Sequence, residues 1–261
     1  MKYITLLFLV LLSFHLPAQE TSITSQDFPG VKSVKFYTTT TDSAGKVISK
    51  KNFFQEIQFD SNGRKERVFN YEKRKLKNSA YYFYDSLGRM SMRINWTKKE
   101  GNLKYLYEYS LDSTGHFIIQ HELHDRKITR TESSFWDTLS KCNWVSTWYG
   151  ESTYGAPPSQ DCYDKNGQLM RRSSLNGFTE YRYDSLGNLT MMLVRHFEDG
   201  HCSGYNPLRY TNTYKDGHLS TCATKWSTTW FDYNEKGLIF KEHRRVTANQ
   251  FVVTEAEYTY Y

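Results

Sequence analysis

The sequence predicts an all-β fold, a long antiparallel meander of about 18–19 strands. Three observations predict it. The pattern aromatic–x–aromatic–Asp–x–x–Gly–x–apolar recurs along the chain. Between its copies, apolar residues alternate with period two rather than recurring every three or four. Beyond the N-terminal apolar run, no stretch carries a sustained helical period.

Each part of the pattern has a physical reason. In Tyr181-Arg182-Tyr183-Asp184-Ser185-Leu186-Gly187-Asn188-Leu189-Thr190 the two rings fall on one face of a strand. Aromatic residues suit a pleated, half-buried surface. Asp184 can bond backbone N–H groups ahead of it and start a turn, and Gly187 can take the left-handed conformation that closes it. Leu189 and Met191 then resume the alternation.

Turn signals of this kind stand at Asp42–Gly45, Asp60–Gly63, Asp85–Gly88, Asp112–Gly115, Asp164–Gly167 and Asp184–Gly187. Asp137–Ser140, Lys215–Gly217 and Asn234–Gly237 are degraded copies. From Gly45 to Gly237 is 192 residues in eight steps, a mean of 24. A second set falls between them, at Lys50–Asn52, Glu72–Lys75, Lys99–Asn102, His124–Arg126, Gly150–Pro158, Asn176–Gly177, Glu198–Pro207, Thr224–Lys225 and Ala248–Asn249. Half a step is then one strand and one turn. Val31–Thr40 reads as the first strand, after a loose polar lead-in over Gln19–Gly30. Twist makes so wide a sheet curl, which predicts a spiralling ribbon or open shell with two exposed edges.

Composition narrows the class. The chain has 261 residues, 16% of them aromatic with 21 Tyr, and a mean hydropathy of −0.70. Disordered chains are poor in aromatics. The net charge of +6 is scattered, with no run of five like charges, so no nucleic-acid partner is indicated. Lys2 followed by the apolar run Ile4–Phe14 reads as a signal peptide, too short to span a bilayer. With cleavage after Ala18, residues 1–18 are the signal and 19–261 a single β domain. The expected product is exported, periplasmic or secreted, with no membrane span. Cys142, Cys162, Cys202 and Cys222 all lie in the exported part, where an even number favours disulfides. Cys142 and Cys162 flank the 150–158 loop, which favours pairing them and leaves Cys202–Cys222.

Tyr82-Phe83-Tyr84-Asp85-Ser86-Leu87-Gly88-Arg89-Met90 and Tyr181–Thr190 resemble the tyrosine-aspartate (YD) repeats of the Rhs family. Phe59-Asp60-Ser61-Asn62-Gly63-Arg64 and Tyr163-Asp164-Lys165-Asn166-Gly167-Gln168-Leu169 match nearly as well. The resemblance covers most of the chain after residue 18 and is strong in those four units. It implies a spiralling β-sheet. Long members of the family build a shell around a toxic C-terminal domain. This chain is much shorter, and Glu257-Tyr258-Thr259-Tyr260-Tyr261 reads as the aromatic half of another unit rather than a toxin. The resemblance therefore implies a short exported YD-repeat-like protein of Gram-negative bacteria.

Catalytic patterns are missing from the sequence. His121-Glu122-Leu123-His124 spaces its two histidines three apart, which sends them to opposite faces of a strand, so no metal site is expected. No nucleophile elbow or phosphate-cradling loop is present, and no cofactor is implied. The aspartates are accounted for by turn chemistry. The irregular stretch from Phe135 to Pro158 supplies the candidate binding residues Trp136, Trp144, Trp148 and Tyr149, whose rings could stack on a sugar or a peptide. The competing reading is that these rings fill a sheet face, as aromatics do elsewhere in the chain. The expected function is a non-catalytic binding or surface-interaction module, its partner a carbohydrate or an envelope or cell-surface protein. The alternative is an exported enzyme acting on cell-wall or carbohydrate substrates through paired carboxylates, which need no sequence signature. Peptide mapping without reduction should recover Cys142 linked to Cys162; free thiols at both positions would contradict the pairing.

Overall fold

The structure, a computed structural model, describes residues 28–111, 117–137, 142–149, 159–174, 176–198, 201–204 and 207–261. Side chains at 111, 117–118, 135–137, 142, 159, 197–198 and 201–204 lie outside the description. So do residues 1–27 and 150–158. All twenty described elements are strands, and no helix occurs among the described residues. In chain order they are β1 (Val31–Asp42), β2 (Asn52–Phe59), β3 (Lys65–Glu72), β4 (Lys75–Tyr84), β5 (Met90–Thr97), β6 (Gly101–Leu111) and β7 (Phe117–His124). There follow β8 (Lys127–Asp137), β9 (Cys142–Tyr149), β10 (Ser159–Tyr163), β11 (Leu169–Ser174), β12 (Gly177–Tyr183) and β13 (Leu189–Glu198). The last are β14 (His201–Gly204), β15 (Leu208–Arg209), β16 (Thr211–Lys215), β17 (His218–Ala223), β18 (Thr228–Tyr233), β19 (Ile239–Thr247) and β20 (Gln250–Tyr260).

Successive strands pair antiparallel, as the meander requires. β14 and β15 pair with β13 while β16 pairs with β17, so these three short strands share one position. That leaves eighteen strand positions from the twenty strands. The expected open ribbon is corrected here. β1 pairs with β20 through eleven residue pairs, from Val31↔Tyr260 to Asp42↔Gln250, as well as with β2. The sheet closes into a barrel-like ring. Accumulated twist brings the ends together, and the seam occupies N–H and C=O groups that free edges would leave unpaired.

Directly paired residues share a face, so the faces can be followed around the ring. Val34, Phe36, Ile57, Phe231 and Ala256 face inward and form the main core with Phe28, Phe59, Leu219 and Ile239. Leu169, Tyr181, Leu189 and Tyr210 form a second inward cluster. Phe28 corrects the expected loose lead-in: it is buried, with its ring 5.1 Å from that of Phe59. The outward face carries Lys35, Glu56, Arg67, Lys104, Glu108, Glu180 and Arg182. A lysine or arginine facing lipid at mid-membrane costs about 2–4 kcal/mol, so this face suits water.

The turns at Asp60, Asp85, Asp164, Asp184 and Asn234 share one rim and one geometry. Each side-chain Oδ1 accepts the backbone N–H of the residues two and four ahead, at 2.8–3.0 Å. The glycines that close them have φ between 74° and 85°. Asp42 makes the same bonds, to Ala44 and Lys46. Its turn nevertheless lies on the opposite rim, because β1 ends there, so it is not a member of the set that spacing suggested. The Asn176–Gly177 signal is also displaced by one residue. Ser174 pairs with Gly177, so Gly177 opens β12 instead of lying in the turn.

At the Asp rim the turns introduce bulges and the ladder to the next hairpin stops short. β3 and β4 last pair at Arg67–Tyr81, which leaves the Lys65 carbonyl beyond the ladder. Tyr84 Oη donates to that carbonyl at 2.8 Å. Tyr109 does the same for Met90 O at 2.7 Å, and Tyr183 and Tyr233 for Leu169 O and Leu219 O, both at 2.9 Å. Tyr258 bonds Ile239 O in the same register, and Asn212 takes the position to bond Leu189 O at 3.1 Å. Across the seam, Tyr261 bonds Phe59 O. Arg64 and Arg89 add a second tie, each holding its own turn aspartate while stacking over the next tyrosine, Tyr84 or Tyr109.

Removing one of these hydroxyls leaves a carbonyl without its partner. Tyr183→Phe should therefore lower unfolding free energy by about 1 kcal/mol in denaturant titration, within the 0.5–1.5 kcal/mol usual for a hydrogen bond. No measurable change would mean that water replaces the hydroxyl at no cost. Gly177→Ala should be worse, because an added Cβ would stand 2.0 Å from Arg195 O at a φ of +150°. A Gly177→Ala protein as stable as its parent would contradict the close approach of β12 and β13.

Candidate functional site

The residues singled out in the sequence do not form one surface. Trp144 and Trp148 lie on the outward face of β9, opposite Phe135 and Thr131, whereas Tyr149 lies inward, opposite Arg130. Strand alternation separates Tyr149 from the two tryptophans. Trp148 Nε1 is buried with no hydrogen-bond partner among the described residues, and Tyr149 is exposed. Trp136 stands opposite Asn143, three residues beyond Ser133, the last residue of β8 paired with β7. That is the register position the linking tyrosines hold elsewhere; its side chain lies outside the described residues.

The cysteines divide in the same way. Cys162 is buried opposite Trp144, so Cys142 lies two residues away on the same face of the neighbouring strand. The expected Cys202–Cys222 pairing is excluded by register. Cys202 is not in a loop but in β14, opposite Phe197. Cys222 pairs with Asn212, whose side chain reaches Leu189 O. Phe197 and Leu189 are eight residues apart along β13, on the order of 26 Å at about 3.3 Å per residue. A disulfide spans at most about 7 Å between Cα atoms.

The inner face carries a row of ion pairs. Arg93 and Tyr107 both donate to Glu122 Oε2, at 3.2 and 2.7 Å, and Thr129 donates to Oε1 at 3.2 Å. Arg130 pairs with Glu132. Arg172 grips Asp161 with two bonds of 2.8 and 2.7 Å, and Tyr163 adds a third at 3.2 Å. Burial, and then the bond to Glu122, push the Tyr107 hydroxyl far above its ordinary value. Burial alone leads for Tyr183, pushed up to about 12. His121 and His124 face opposite sides, as alternation predicts, bonded to Thr131 Oγ1 at 3.0 Å and Lys104 O at 2.8 Å.

A different place gathers groups with bonding capacity to spare. After β1 the chain does not turn straight into β2. Residues 43–51 fold back along the edge of β1 beyond its last pair with β2, with Thr41 bridged to Val47, Ile48 N donating to Thr40 O at 2.7 Å and Thr40 N to Ser49 Oγ at 2.8 Å. Between this loop and β18–β20 lies a cleft in two lobes. One, of about 400 Å³, is lined by Asp42, Ser43, Trp230, Asp232, His243 and Phe251. The other, of about 350 Å³, shares His243 and adds Val47, Lys51, Lys241, Val253 and Glu255. Register explains the convergence: Trp230 pairs with His243, His243 with Val253, and Phe251 with Thr41, all outward. The rings of Trp230 and Phe251 stand 5.8 Å apart at 54°, and Asp232 Oδ2 lies 3.4 Å from His243 Nε2. In the second lobe Lys51 contacts Glu255 at 3.0 Å and Glu257 at 3.2 Å, and Lys241 reaches Glu255 at 3.4 Å.

No protein-family model matches the chain, and no curated protein matches it. Among solved structures it is similar to a porin-like protein from Bacteroides uniformis ATCC 8492, at 10% identity over 68% of this chain and 94% of that one, TM-score 0.36. It is similar to a chain of a TcdB2-TccC3-Cdc42 structure at 11% identity, over 84% of this chain and 18% of that one, TM-score 0.30. It is also similar to a chain of the Photorhabdus luminescens Tc holotoxin pore at 13% identity, over 79% and 12%, TM-score 0.25. Likenesses this slight carry no argument about function, and this chain spans only a small part of the two toxin chains.

Sequence reasoning missed the cleft. Alternation in Thr228–Tyr233 does send Trp230 and Asp232 to the face opposite Phe231 and Tyr233. Nothing local announces that the 43–51 loop, almost the whole chain away, borders that face. The cleft's ion pairs do have a pH signature. The Lys51 ammonium, against burial and with help from Lys241, holds the Glu255 carboxyl below its ordinary value. Its stabilising effect is present above the ordinary carboxylate range and is lost as pH falls through the lower folded-state value. Glu255→Gln should therefore flatten the acid limb of the stability profile; an unchanged limb would show that these pairs contribute nothing.

Proposed function

We propose that this chain is an exported, YD-repeat-like module that binds a partner without catalysis. One observation carries the reading. The aspartates, glycines and tyrosines of the repeat serve the scaffold, and Glu122, Glu132 and Asp161 are gripped by arginines. An exposed tryptophan, an aspartate and a histidine instead converge in the outward cleft. The enzyme alternative needs a carboxylate within hydrogen-bond reach of a substrate, whereas Glu122, Glu132 and Asp161 are occupied by arginines.

Export is supported by Lys2 and the apolar run Ile4–Phe14. The YD-repeat relation is supported by the four strong units and by the shared turn and tyrosine geometry. The partner is a carbohydrate or a protein of the envelope or cell surface. A Cys142–Cys162 bridge belongs to the same reading, since the two lie on one face of adjacent strands. The test is to express the full chain and fractionate the cells. The expected result is a mature protein beginning at Gln19, outside the cytoplasm, that cosediments saturably with isolated envelopes. An uncleaved cytoplasmic protein, or one with no saturable cosedimentation, would overturn the proposal.

A further inference from the structure

The cleft is chemically lopsided. In the second lobe the two ammonium groups are committed, Lys51 to Glu255 and Glu257 and Lys241 to Glu255. In the first lobe the balance is reversed. Asp42 and Asp232 carry no lysine or arginine ion pair among the described residues. Asp42 accepts two backbone N–H groups through Oδ1. Asp232 has the imidazole of His243 3.4 Å away and stands opposite Lys241 in register, whose ammonium contacts Glu255 instead. Arg245, opposite Phe251 in register, directs its Nε to Thr247 O at 3.3 Å. Beside these carboxylates the rings of Trp230 and Phe251 meet at 54° and form a corner. Trp230 is 36% exposed, so its ring is open to a ligand.

Two aromatic rings at an angle with a carboxylate beside them suit a positive charge spread over alkyl groups. The ring quadrupoles attract the charge, tryptophan most strongly, and the apolar surface accepts the methyl or methylene groups. A small inorganic cation would lose hydration here without a cage of oxygens to replace it. A neutral group of the same shape would gain the apolar contact but not the charge.

We propose that the Trp230–Phe251–Asp232 corner binds an organic cation, an alkylammonium or trimethylammonium group, with Asp232 as its counter-ion. The inference rests on the reading of this cleft as the binding site and names the ligand class it receives. The full mature protein is titrated calorimetrically with choline and with 3,3-dimethylbutan-1-ol, its neutral isostere. Choline should bind saturably and the isostere about ten-fold more weakly. Trp230→Ala and Asp232→Asn should each weaken choline about five- to thirty-fold, as loss of a cation–π contact or a counter-ion predicts, while Trp230→Phe retains most of the affinity. Thermal melts of the variants separate loss of the site from loss of the fold. No saturable choline binding, equal binding of the isostere, or an Asp232→Asn protein that binds choline normally would overturn the proposal. Cosedimentation with envelopes is scored separately. If it persists in a protein that ignores choline, this inference fails and the proposed function stands; choline binding without envelope binding is the reverse.

Discussion

The structure depends on a hydrogen bond that fills the place where a β-ladder stops. Bulges beside the Asp turns pull adjacent strands apart at one rim, so that one carbonyl per hairpin falls beyond the ladder. A buried carbonyl without a partner costs about 1–3 kcal/mol. The hydroxyl of Tyr84, Tyr109, Tyr183, Tyr233 or Tyr258 supplies the partner from the next hairpin. This accounts for tyrosine rather than phenylalanine at Tyr84, Tyr183 and Tyr233, each directly before its turn. The aspartate organises the turn's N–H groups, the glycine allows its conformation, and the tyrosine ties the finished hairpin to its neighbour.

Closure follows from repeating this unit. Each hairpin adds twist in the same sense, and after eighteen strand positions the last strand meets the first. The C-terminal Tyr258 makes the same bond to Ile239, and Tyr261 makes one across the seam to Phe59. A ring one sheet thick keeps both faces partly wet, which accounts for a mean hydropathy of −0.70 in a chain rich in aromatics. Its two apolar clusters lie on the inner face near the rim where the tyrosines gather. Toward the middle, the inner face is held by paired arginines and carboxylates. Such pairs add little net stability, yet become costly when one partner is removed.

The cleft arises from the one place where the repeat is broken early. Asp42 builds a turn of the usual kind, but at the opposite rim, and the chain then folds back across β1 instead of entering β2. The surface beneath is set by the seam, since β1 lies beside β20 only because the ring closes. The aromatic stretch around Trp136, Trp144 and Trp148 drew attention in the sequence because its spacing is irregular. In the structure Trp144 and Trp148 are half-buried on a strand face, and Trp136 occupies a position that tyrosines fill in other hairpins.

What the sequence determined by itself is the local chemistry: period-two alternation, the Asp-x-x-Gly turns, the number of strands and the antiparallel order. These depend on residues within a few positions of each other, so one unit can be read without the rest. The opposite faces of His121 and His124 were legible for the same reason. The tertiary structure alone decided that the first strand closes on the last, that Cys202 and Cys222 are far apart, and that a loop near the first strand borders a face of the last three. Each of these is a sum over many hairpins, in which small twists and single-residue register shifts accumulate. Their total cannot be obtained from any one unit, because no local interaction refers to it.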